Sequence, residues 1–344
     1  MLSVSVVVPV RNAAPTLPRC LAALGALDPA PDETILVDNG SSDAGPELMR
    51  AFVREGRGGR VRLVEEPRRG AAAARNAGIR VAKGDVVAFT DADCAPEAAW
   101  LGLLGRPFVE PAVGAVAGRV VAAEAASTVE LFSALHTLRL PDRPARHRAW
   151  TPWEGGYPTA NFAARSGLLA ELGGFDEAVG IYGEDYDLCA RLFARGAEIV
   201  YVPEARVAHH HRTTVAGMLR QAFGFGRSHP YLLRRHAPRG LWVELPRWPL
   251  AWRASPVPAW LDLAAADKKA IALLALAAAW RPALALLPLY VAWLAVAATR
   301  RARQAGVAVS PGAALGLAGL LLGKSAAMTA GRWWGSVKYG TLCF

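Results

Sequence analysis

Two aspartates stand one residue apart in the segment FTDADC, residues 89–94, directly after an apolar run. The run Val86–Thr90 has the β-branched, apolar composition of a strand that is buried on both faces. Two carboxylates at the end of such a strand repel each other, and a bound divalent cation relieves that repulsion. One carboxylate can then hold the ion while the other reaches a ribose hydroxyl, and the ion bridges diphosphate oxygens. The alternative is an ordinary turn in which Asp93 caps the following helix.

Three other segments carry polar side chains in suggestive patterns. VDNGSSD at residues 37–43 is a second strand end with an acid and turn residues, and RGAAAARNAG at residues 69–78 is a small-residue helix carrying Arg75. GEDYDLCARLFARG at residues 183–196 predicts a helix that begins with several acids and ends at Gly196. Each also has an ordinary interpretation: a β–α loop, a close-packed helix, and acids that complement a helix dipole. A buried arginine is costly without an anionic or hydrogen-bonding partner, so Arg75 is expected to have one.

The segments that must position these residues alternate between the apolar spacing of strands and the apolar spacing of helices. The predicted strands and the helices between them are Val4–Val10, Ala14–Ala26, Glu33–Asp38, Pro46–Glu55, Val61–Val64, Ala71–Val81 and Val86–Thr90. This alternation predicts a parallel sheet with crossover helices, and ligands bind beyond the carboxyl ends of such strands. The polar segments Pro9–Asn12, Asp38–Asp43 and Asp91–Asp93 all fall there, so we expect them to converge at one edge of the sheet.

The chain beyond Pro111 is less regular. The sequence predicts strands at Val113–Val121 and Glu198–Val202, helices over Ser127–Arg139 and after Arg165, a basic helix pair over Thr213–His236, a short apolar run at Ala313–Leu322 and an interfacial helix at residues 331–340. Ala270–Ala298 is apolar and long enough to cross a bilayer. Arg281 and Pro282 near its middle leave open a kinked span, a re-entrant hairpin or an interfacial pair. Basic residues on both flanks favour the hairpin.

The composition limits the kind of partner. The 344 residues carry a net charge of +10, which favours a polyanionic partner: nucleic acid, an anionic membrane surface or a phosphorylated substrate. A hydrophobic content of 53% and a mean hydropathy of +0.21 indicate contact with lipid. The four scattered cysteines predict reduced thiols and a cytosolic compartment. MLSVSVVVPV enters a strand without a signal-peptide pattern, so we expect this end to stay in the cytosol.

Six segments, taken in order, resemble the successive motifs of the family 2 inverting glycosyltransferases. They are VSVVVPVRN, ILVDNGSSD, GAAAARNAGI, FTDADC, ANFAARSGLLAELGGFDE and YGEDYDLCARLFARG, and the resemblance covers residues 3–212. It implies an α/β glycosyltransferase A-type fold: a nucleotide-binding sandwich with a mainly parallel central sheet, followed by a helical, partly membrane-associated C-terminal region. We expect a catalytic domain over residues 1–212, a basic and aromatic helical linker over 213–260, and apolar membrane-associated helices with a terminal interfacial helix over 261–344.

The resemblance also implies roles for individual residues. The residues expected to bind the nucleotide sugar are Pro9, Val10, Arg11, Asn12, Asp38, Arg75, Asp91, Ala92 and Asn161. Asp93 is expected to ligate the metal ion together with His209, with His211 as the fallback. In the later motif Asp185 corresponds to the catalytic base and Glu184 to its acidic neighbour, because inversion is a single displacement that needs a carboxylate to take the acceptor's proton. Asp187 is expected to be structural, paired with Arg191 one turn on.

Several aromatic residues have two open interpretations. Trp153, Tyr157 and Tyr182 are suited either to stacking on sugar rings or to core packing. Thr159 is expected to line the sugar pocket beside Asn161.

The resulting expectation is a metal-dependent hexosyltransferase that uses Mg²⁺ or Mn²⁺ and a UDP- or GDP-linked sugar. Its acceptor is expected to be a lipid-linked or envelope glycan at the cytosolic face of the cell membrane, in polysaccharide biosynthesis, with no nucleic-acid partner. A sugar nucleotidyltransferase is an alternative, but it predicts a Gly-rich phosphate loop after the first strand, and PVRNAAPTLP supplies none. A nucleotide-binding membrane scaffold would make Glu184 and Asp185 dispensable. A nucleic-acid binder explains the charge but not the converging acids.

Overall fold

The structure is a computed structural model that describes residues 2–56, 58–138, 140–151, 156–179, 182–237, 239–245, 250–252 and 258–344. Trp153 lies outside the described residues. The strands in chain order are β1 (Val4–Val10), β2 (Glu33–Asp38), β3 (Arg60–Glu65), β4 (Val86–Phe89), β5 (Cys94–Pro96), β6 (Val113–Ala122), β7 (Ala145–His147), β8 (Phe162–Arg165), β9 (Glu198–His209), β10 (Leu241–Glu244), β11 (Leu250–Trp252) and β12 (Ala259–Asp262).

The α-helices in chain order are α1 (Leu17–Gly25), α2 (Gly45–Glu55), α3 (Ala71–Val81), α4 (Trp100–Gly105), α5 (Thr128–His136), α6 (Ser166–Leu172), α7 (Glu184–Ala194), α8 (Val215–His236), α9 (Ala266–Ala279), α10 (Leu286–Gln304) and α11 (Pro311–Tyr339). Short 3₁₀ helices lie at Arg106–Val109, Thr159–Asn161, Glu177–Val179 and Arg281–Ala285.

The chain forms two compact units. The first comprises Met1–Ala123 and Leu138–His210, and the second comprises Glu124–Thr137 and His211–Phe344. The second unit therefore takes α5 from within the stretch that otherwise builds the first. The domain boundaries at 212 and 260 stay a prediction.

The first unit is built on one mixed sheet with strand order β3-β2-β1-β4-β8-β6-β9-β5, and β7 also pairs with β9. The pairings of β3, β2, β1 and β4 and the long pairing of β6 with β9 are parallel, whereas the antiparallel pairings are short. The mainly parallel sheet expected from the sequence is confirmed.

Helices cover both faces of this sheet. Val6, Val8 and Val10 of β1 pack with α1, α2 and α4, whereas Val7 packs with α3, α6 and α7 on the other face. Because successive strand side chains point to opposite faces, a strand buried on both sides needs an unbroken apolar run. VSVVVPV supplies that run, and β1 has the predicted bounds.

Strand β9 is longer than predicted. The sequence indicated an end at Val202 before Pro203, yet the strand continues to His209. Its register against β6 shifts between Gly118 and Arg119, which pair with Val202 and Arg206. Pro203 lies within this irregularity, where the strand does not need the ladder hydrogen bond that proline cannot donate. The extension carries His209 to the edge where the acids of FTDADC lie.

Helices α8 and α11 each form one element where the sequence indicated two. Residues 213–236 were expected to form a helix pair, and residues 313–322 and 331–340 two separate segments, but α8 runs through Pro230 and α11 has 29 residues. Glycines on both helices permit close packing: a Cβ on Gly226 would overlap the Met328 backbone, and one on Gly331 would overlap the Phe223 carbonyl. These glycines are contact points between the helices, so they do not interrupt them.

The apolar segment Ala270–Ala298 divides at Trp280 into α9, the 3₁₀ turn Arg281–Ala285 and α10. In the part of the chain that the structure describes, two segments are long and apolar enough to cross a membrane: Arg281–Gln304, with mean hydropathy 1.8, and Pro311–Tyr339, with mean hydropathy 1.4. Only 17% and 28% of their most apolar windows are buried, so most of this surface faces outward. The 14 residues of α9 fall short of the ~20 that a spanning helix needs.

Candidate active site

The pairing of β5 with β9 brings Asp93 and His209 together. Cys94 lies opposite His209 in the register, and the main-chain N–H of His210 donates to the Asp93 carbonyl at 2.9 Å. The Asp93 Oδ1 and His209 Nε2 atoms are 3.6 Å apart. With the Cys94 sulfur they form a group of possible metal ligands whose atoms all lie within 4.8 Å of one another.

The donor set fits a divalent cation. A carboxylate oxygen suits Mg²⁺ and Mn²⁺, an imidazole nitrogen is more typical of transition-metal sites, and a thiol binds metals only as thiolate. Burial, with added repulsion from Asp93 and Asp91, raises the pKa of the Cys94 thiol well above its ordinary value. Without a bound cation the Cys94 side chain is therefore a neutral thiol, and only a metal ion beside it would favour the thiolate. All four cysteines are buried free thiols, which agrees with the reduced state expected from the sequence.

Arg75 joins the FTDADC segment to the acidic start of α7. Its guanidinium donates from Nη2 to Asp91 Oδ1 at 2.8 Å and from Nη1 to Glu184 Oε1 at 2.9 Å. The side chain is only 4% exposed and lies over the Phe175 ring. The partner that a buried arginine requires thus consists of two carboxylates from separate motifs.

Two buried atoms of this network have no protein partner within the described residues: Arg75 Nε and Glu184 Oε2. Buried polar groups are normally satisfied, and each exception in a site suggests a ligand or a water. Glu184 Oε2 is an acceptor beside Asp185, so a sugar or acceptor hydroxyl is a suitable donor to it.

Asp185 has the properties of a base that works near neutral pH. Burial, followed by the charge of Glu184, raises the pKa of Asp185 to about 7, while Arg75 opposes the shift. Its Oδ1 accepts a 2.9 Å hydrogen bond from the Tyr186 N–H, and the side chain is half-buried. A general base is most effective when its pKa lies near the working pH. Burial also raises the pKa of Glu184 in spite of Arg75.

Asp187 is structural, as its spacing indicates. It is fully buried, and its carboxylate accepts a 2.7 Å charged hydrogen bond from Arg191 one turn later. Arg191 also donates to the Leu172 carbonyl, which attaches α7 to the end of α6.

The loops after β1 and β2 are held together at the same edge of the sheet. Asn12, in the left-handed region with φ 48°, accepts a 2.8 Å hydrogen bond from the Ser42 N–H and donates its own N–H to Ser41 Oγ. Asp38 Oδ1 accepts from the Ser41 N–H at 3.0 Å, and Asp38 lies opposite Val10 in the register. Strand β4, which leads to Asp91, pairs with β1 on its other side. The three polar segments therefore end adjacent strands, with Arg11 exposed and Pro9 half-buried beside them.

Asn161 differs from its expected role in the sugar pocket. It is 0% exposed, and its amide bonds to Trp100 Nε1, the Arg119 carbonyl and the Ala205 carbonyl at 2.8, 2.9 and 2.8 Å. These contacts fix the irregular stretch of β6 and β9. The hydrogen-bonding groups of the Asn161 amide are therefore used within the core and do not face a sugar pocket. Ala92 is buried too and serves as the spacer between Asp91 and Asp93.

The remaining expected contacts divide between core and surface. Thr159 is buried, and Tyr157 is buried and stacks on Tyr201 at 5.6 Å, which favours core packing. Tyr182 is half-buried. Arg19 contacts the His210 ring at 2.6 Å, and no sequence signal pointed to this pair across separate motifs. The fallback ligand His211 belongs to the second unit.

The fold is of the glycosyltransferase A type. The structure superposes on the mannosyltransferase PcManGT from Pyrobaculum calidifontis, solved in complex with GDP-Man and Mn2+, with a TM-score of 0.58. The match covers 97% of this chain and 87% of that one at 24% sequence identity. At this identity the likeness concerns the fold alone.

The chain belongs to the family 2 glycosyltransferases. It matches the family described as "Glycosyl transferase family 2" over residues 5–173 and "Glycosyl transferase family group 2" over residues 91–298. A pre-mycofactocin glycosyltransferase of Mycobacterium tuberculosis is 37% identical over 237 residues, 67% of this chain and 48% of that protein. The succinoglycan biosynthesis protein ExoO of Rhizobium meliloti is 32% identical over 217 residues, 61% of each chain. The chain thus spans about half to three fifths of the length of these relatives.

Proposed function

We propose that the protein is a metal-dependent inverting glycosyltransferase that moves a hexose from a UDP- or GDP-linked donor to an acceptor hydroxyl. One observation carries the proposal: Arg75 bonds both to Asp91, which lies two residues before Asp93, and to Glu184, the neighbour of Asp185. A single guanidinium thereby fixes the donor-side acids relative to the expected base. A nucleotide-binding scaffold has no need for this link.

In this mechanism Asp185 accepts the proton of the acceptor hydroxyl while that oxygen bonds to the anomeric carbon. The bond from that carbon to the diphosphate oxygen breaks on the opposite side, so the configuration inverts. Asp93 and His209 would hold the Mg²⁺ or Mn²⁺ ion, which neutralises the departing diphosphate when bound. Asp38 and Asn12 support the nucleotide at the sheet edge, and Asp91 faces the ribose or the sugar.

The acceptor that we propose is a lipid-linked or envelope glycan, used at the cytosolic face of the membrane in polysaccharide biosynthesis. The outward apolar surface of the second unit supports this, since Ile271, Leu274, Trp280, Leu289 and Trp293 are all exposed. Apolar patches of this kind suit a membrane more than water. The likeness to a succinoglycan biosynthesis protein agrees with a glycan acceptor.

A second acceptor is pre-mycofactocin. The relative with 37% identity carries that substrate in its name, and the aligned part covers 67% of this chain. The two acceptors can be told apart by where the glycosylated product is found, because a lipid-linked glycan stays in the membrane or detergent phase.

The test is a donor and acceptor screen with the full chain in detergent. UDP- and GDP-sugars are supplied with Mn²⁺, Mg²⁺ or EDTA, and each acceptor class is offered separately. We expect nucleoside diphosphate release and a glycosylated product with metal and not with EDTA. Formation of a nucleoside triphosphate and a sugar 1-phosphate when pyrophosphate is added to the nucleotide sugar would instead support the nucleotidyltransferase alternative, and donor binding without transfer to any acceptor would support the scaffold.

A further inference from the structure

Helices α8 and α11 end in a cluster of cations and aromatic rings within the second unit. This α8–α11 cluster consists of Arg227, Tyr231, Arg234, Arg235, Trp334, Lys338 and Tyr339. It brings four positive charges together: Arg234, Arg235 and Lys338 lie in the last turns of the two helices, and Arg227 lies further back on α8. None of these residues has a role in the proposed sugar transfer.

Contacts between neighbouring side chains make the cluster continuous. Arg227 and Lys338 both lie over the ring of Trp334, each 5.3 Å from its centroid. Lys338 is also 5.0 Å from the ring of Tyr339, which in turn meets Tyr231 edge-on at 5.3 Å. Cation–π contacts therefore connect the positive charges and the aromatic rings into one cluster.

The two arginines at the end of α8 complete the cluster. Arg235 lies over the Tyr231 ring and contacts its hydroxyl, and Arg234 donates to the main-chain carbonyl of Tyr339. Arg234, Arg235 and Lys338 are exposed. Each charged group thus has a contact within the cluster, and the three side chains as a whole remain exposed to solvent.

Complementing the helix dipole accounts for part of this arrangement, because cations stabilise a helix C-terminus. It does not account for the apolar side chains beside them. Val337 is 88% exposed, Trp333 54% and Trp334 45%. Cations, indole rings and protruding aliphatic groups on one surface are the combination found at the level of lipid headgroups.

We propose that the α8–α11 cluster binds the anionic phospholipid headgroups of a bilayer surface. Arg234, Arg235 and Lys338 meet the phosphates, while Trp334 and Val337 enter the boundary with the acyl chains. The apolar body of α11 leads into this end, which places the cluster where a membrane helix meets water. The rings and cations alone would also suit a single-stranded nucleic acid, but the 88% exposed Val337 adds an aliphatic contact that suits acyl chains and not bases.

The inference rests on the membrane part of the proposed function. Charge complementarity is the reason for choosing an anionic surface: a polybasic site gains roughly a fivefold affinity per cation near such a surface. The neutral headgroups of phosphatidylcholine offer no such gain. The preference for anionic lipid is therefore the measurable consequence.

The test is flotation of the full chain with vesicles of phosphatidylcholine alone or mixed with phosphatidylglycerol. The triple variant Arg234→Gln, Arg235→Gln and Lys338→Gln should lose roughly a hundredfold in affinity for the mixed vesicles and little for the neutral ones. Trp334→Ala with Val337→Ser should weaken both. A matched control removes three exposed arginines of the first unit, Arg50→Gln, Arg54→Gln and Arg60→Gln, and should leave both affinities unchanged.

Equal losses in the triple variant and in the matched control would overturn the proposal, because net charge alone would then explain the binding. So would a triple variant that keeps its vesicle affinity but loses affinity for duplex DNA. UDP and GDP binding, measured on the same preparations, keeps this result separate from the proposed function. The two proposals can fail independently. If the cluster variants lose affinity for anionic vesicles while neither they nor the wild type transfer sugar, the lipid-binding proposal is supported and the transferase proposal fails.

Discussion

At the residue scale, the position of Asp93 carries a direct consequence for nucleotide binding. Its carboxylate lies 3.6 Å from the His209 ring, and the two are the proposed metal ligands. We expect Asp93→Ala to abolish the metal-dependent part of UDP and GDP affinity, because the diphosphate loses its bridging ion. Calorimetry with and without Mn²⁺ measures this, with the exposed Glu97→Ala as control. An unchanged metal-dependent affinity would contradict the assignment.

Asp185 gives the second prediction at this scale. Because its pKa is raised to about 7, the fraction of active base should increase as the pH rises through 7 and level off above it. Asp185→Asn should cut turnover by roughly 10²–10⁴-fold and flatten this rise while leaving donor affinity unchanged. Glu184→Gln should have a milder effect if Glu184 only positions a hydroxyl. A pH–rate profile of each variant decides this, and full activity in Asp185→Asn would move the base to Glu184, because Asp187 is fully buried and paired with Arg191.

The same raised pKa predicts a stability effect. An acid whose folded pKa exceeds the ordinary 3.8 favours folding when protonated, so its contribution is lost as the pH rises from about 4 to about 7. Asp185→Asn, which never ionises, should therefore raise the Tm relative to the wild type at pH 8 and change it little at pH 4. Thermal unfolding at both pH values measures this, and a larger gain at pH 4 would show that burial of the charge is not the cause.

At the element scale, the packing of α8 against α11 depends on Gly331. A Cβ there would overlap the Phe223 carbonyl, so Gly331→Ala should force the helices apart and destabilise the second unit by about 1–3 kcal/mol. At Gly319 on the same helix a Cβ would have no neighbouring atom within 4 Å. Gly319→Ala should therefore stabilise α11 by about 0.5–1 kcal/mol. Unfolding of both variants in the same detergent tests the pair. Equal effects would mean that helix propensity, and not close approach, governs α11.

The elements also show which features a sequence can predict. The bounds of β1, β2 and α3 follow from apolar runs and from flanking glycine and polar residues, and Asp187–Arg191 follows from helical spacing. Strand β5 has three residues including a proline, so it is too short for an alternation of apolar and polar residues to be recognised. Its partner strand β9 is also distant in sequence. The burial of Asn161 depends on Trp100 and on the β6–β9 irregularity, which no local pattern encodes.

At the scale of the whole molecule, a single C-terminal truncation cannot isolate the first unit, because that unit consists of two separate stretches of the chain. α5 lies inside its sequence but packs in the second unit, where Phe132 and Leu135 share a core with Met218 and Leu317. A chain ending at residue 210 should therefore aggregate, because those two apolar side chains become exposed. Replacing both with glutamine should restore solubility and UDP or GDP binding, as measured by sedimentation and calorimetry. If the unmodified fragment is equally soluble, α5 does not need the second unit.

The place of α5 in the chain also sets an order of events during synthesis. α5 ends at His136, whereas α11, which supplies Leu317 to its core, begins only at Pro311. At the ~5–20 residues per second of a ribosome, the apolar face of α5 waits on the order of ten seconds or more for that partner. During this interval a nascent chain presents Phe132 and Leu135 to whatever binds apolar helices. A partner that binds apolar helices, such as a holding chaperone or the bilayer itself, therefore has access to α5 well before the last helix leaves the exit tunnel.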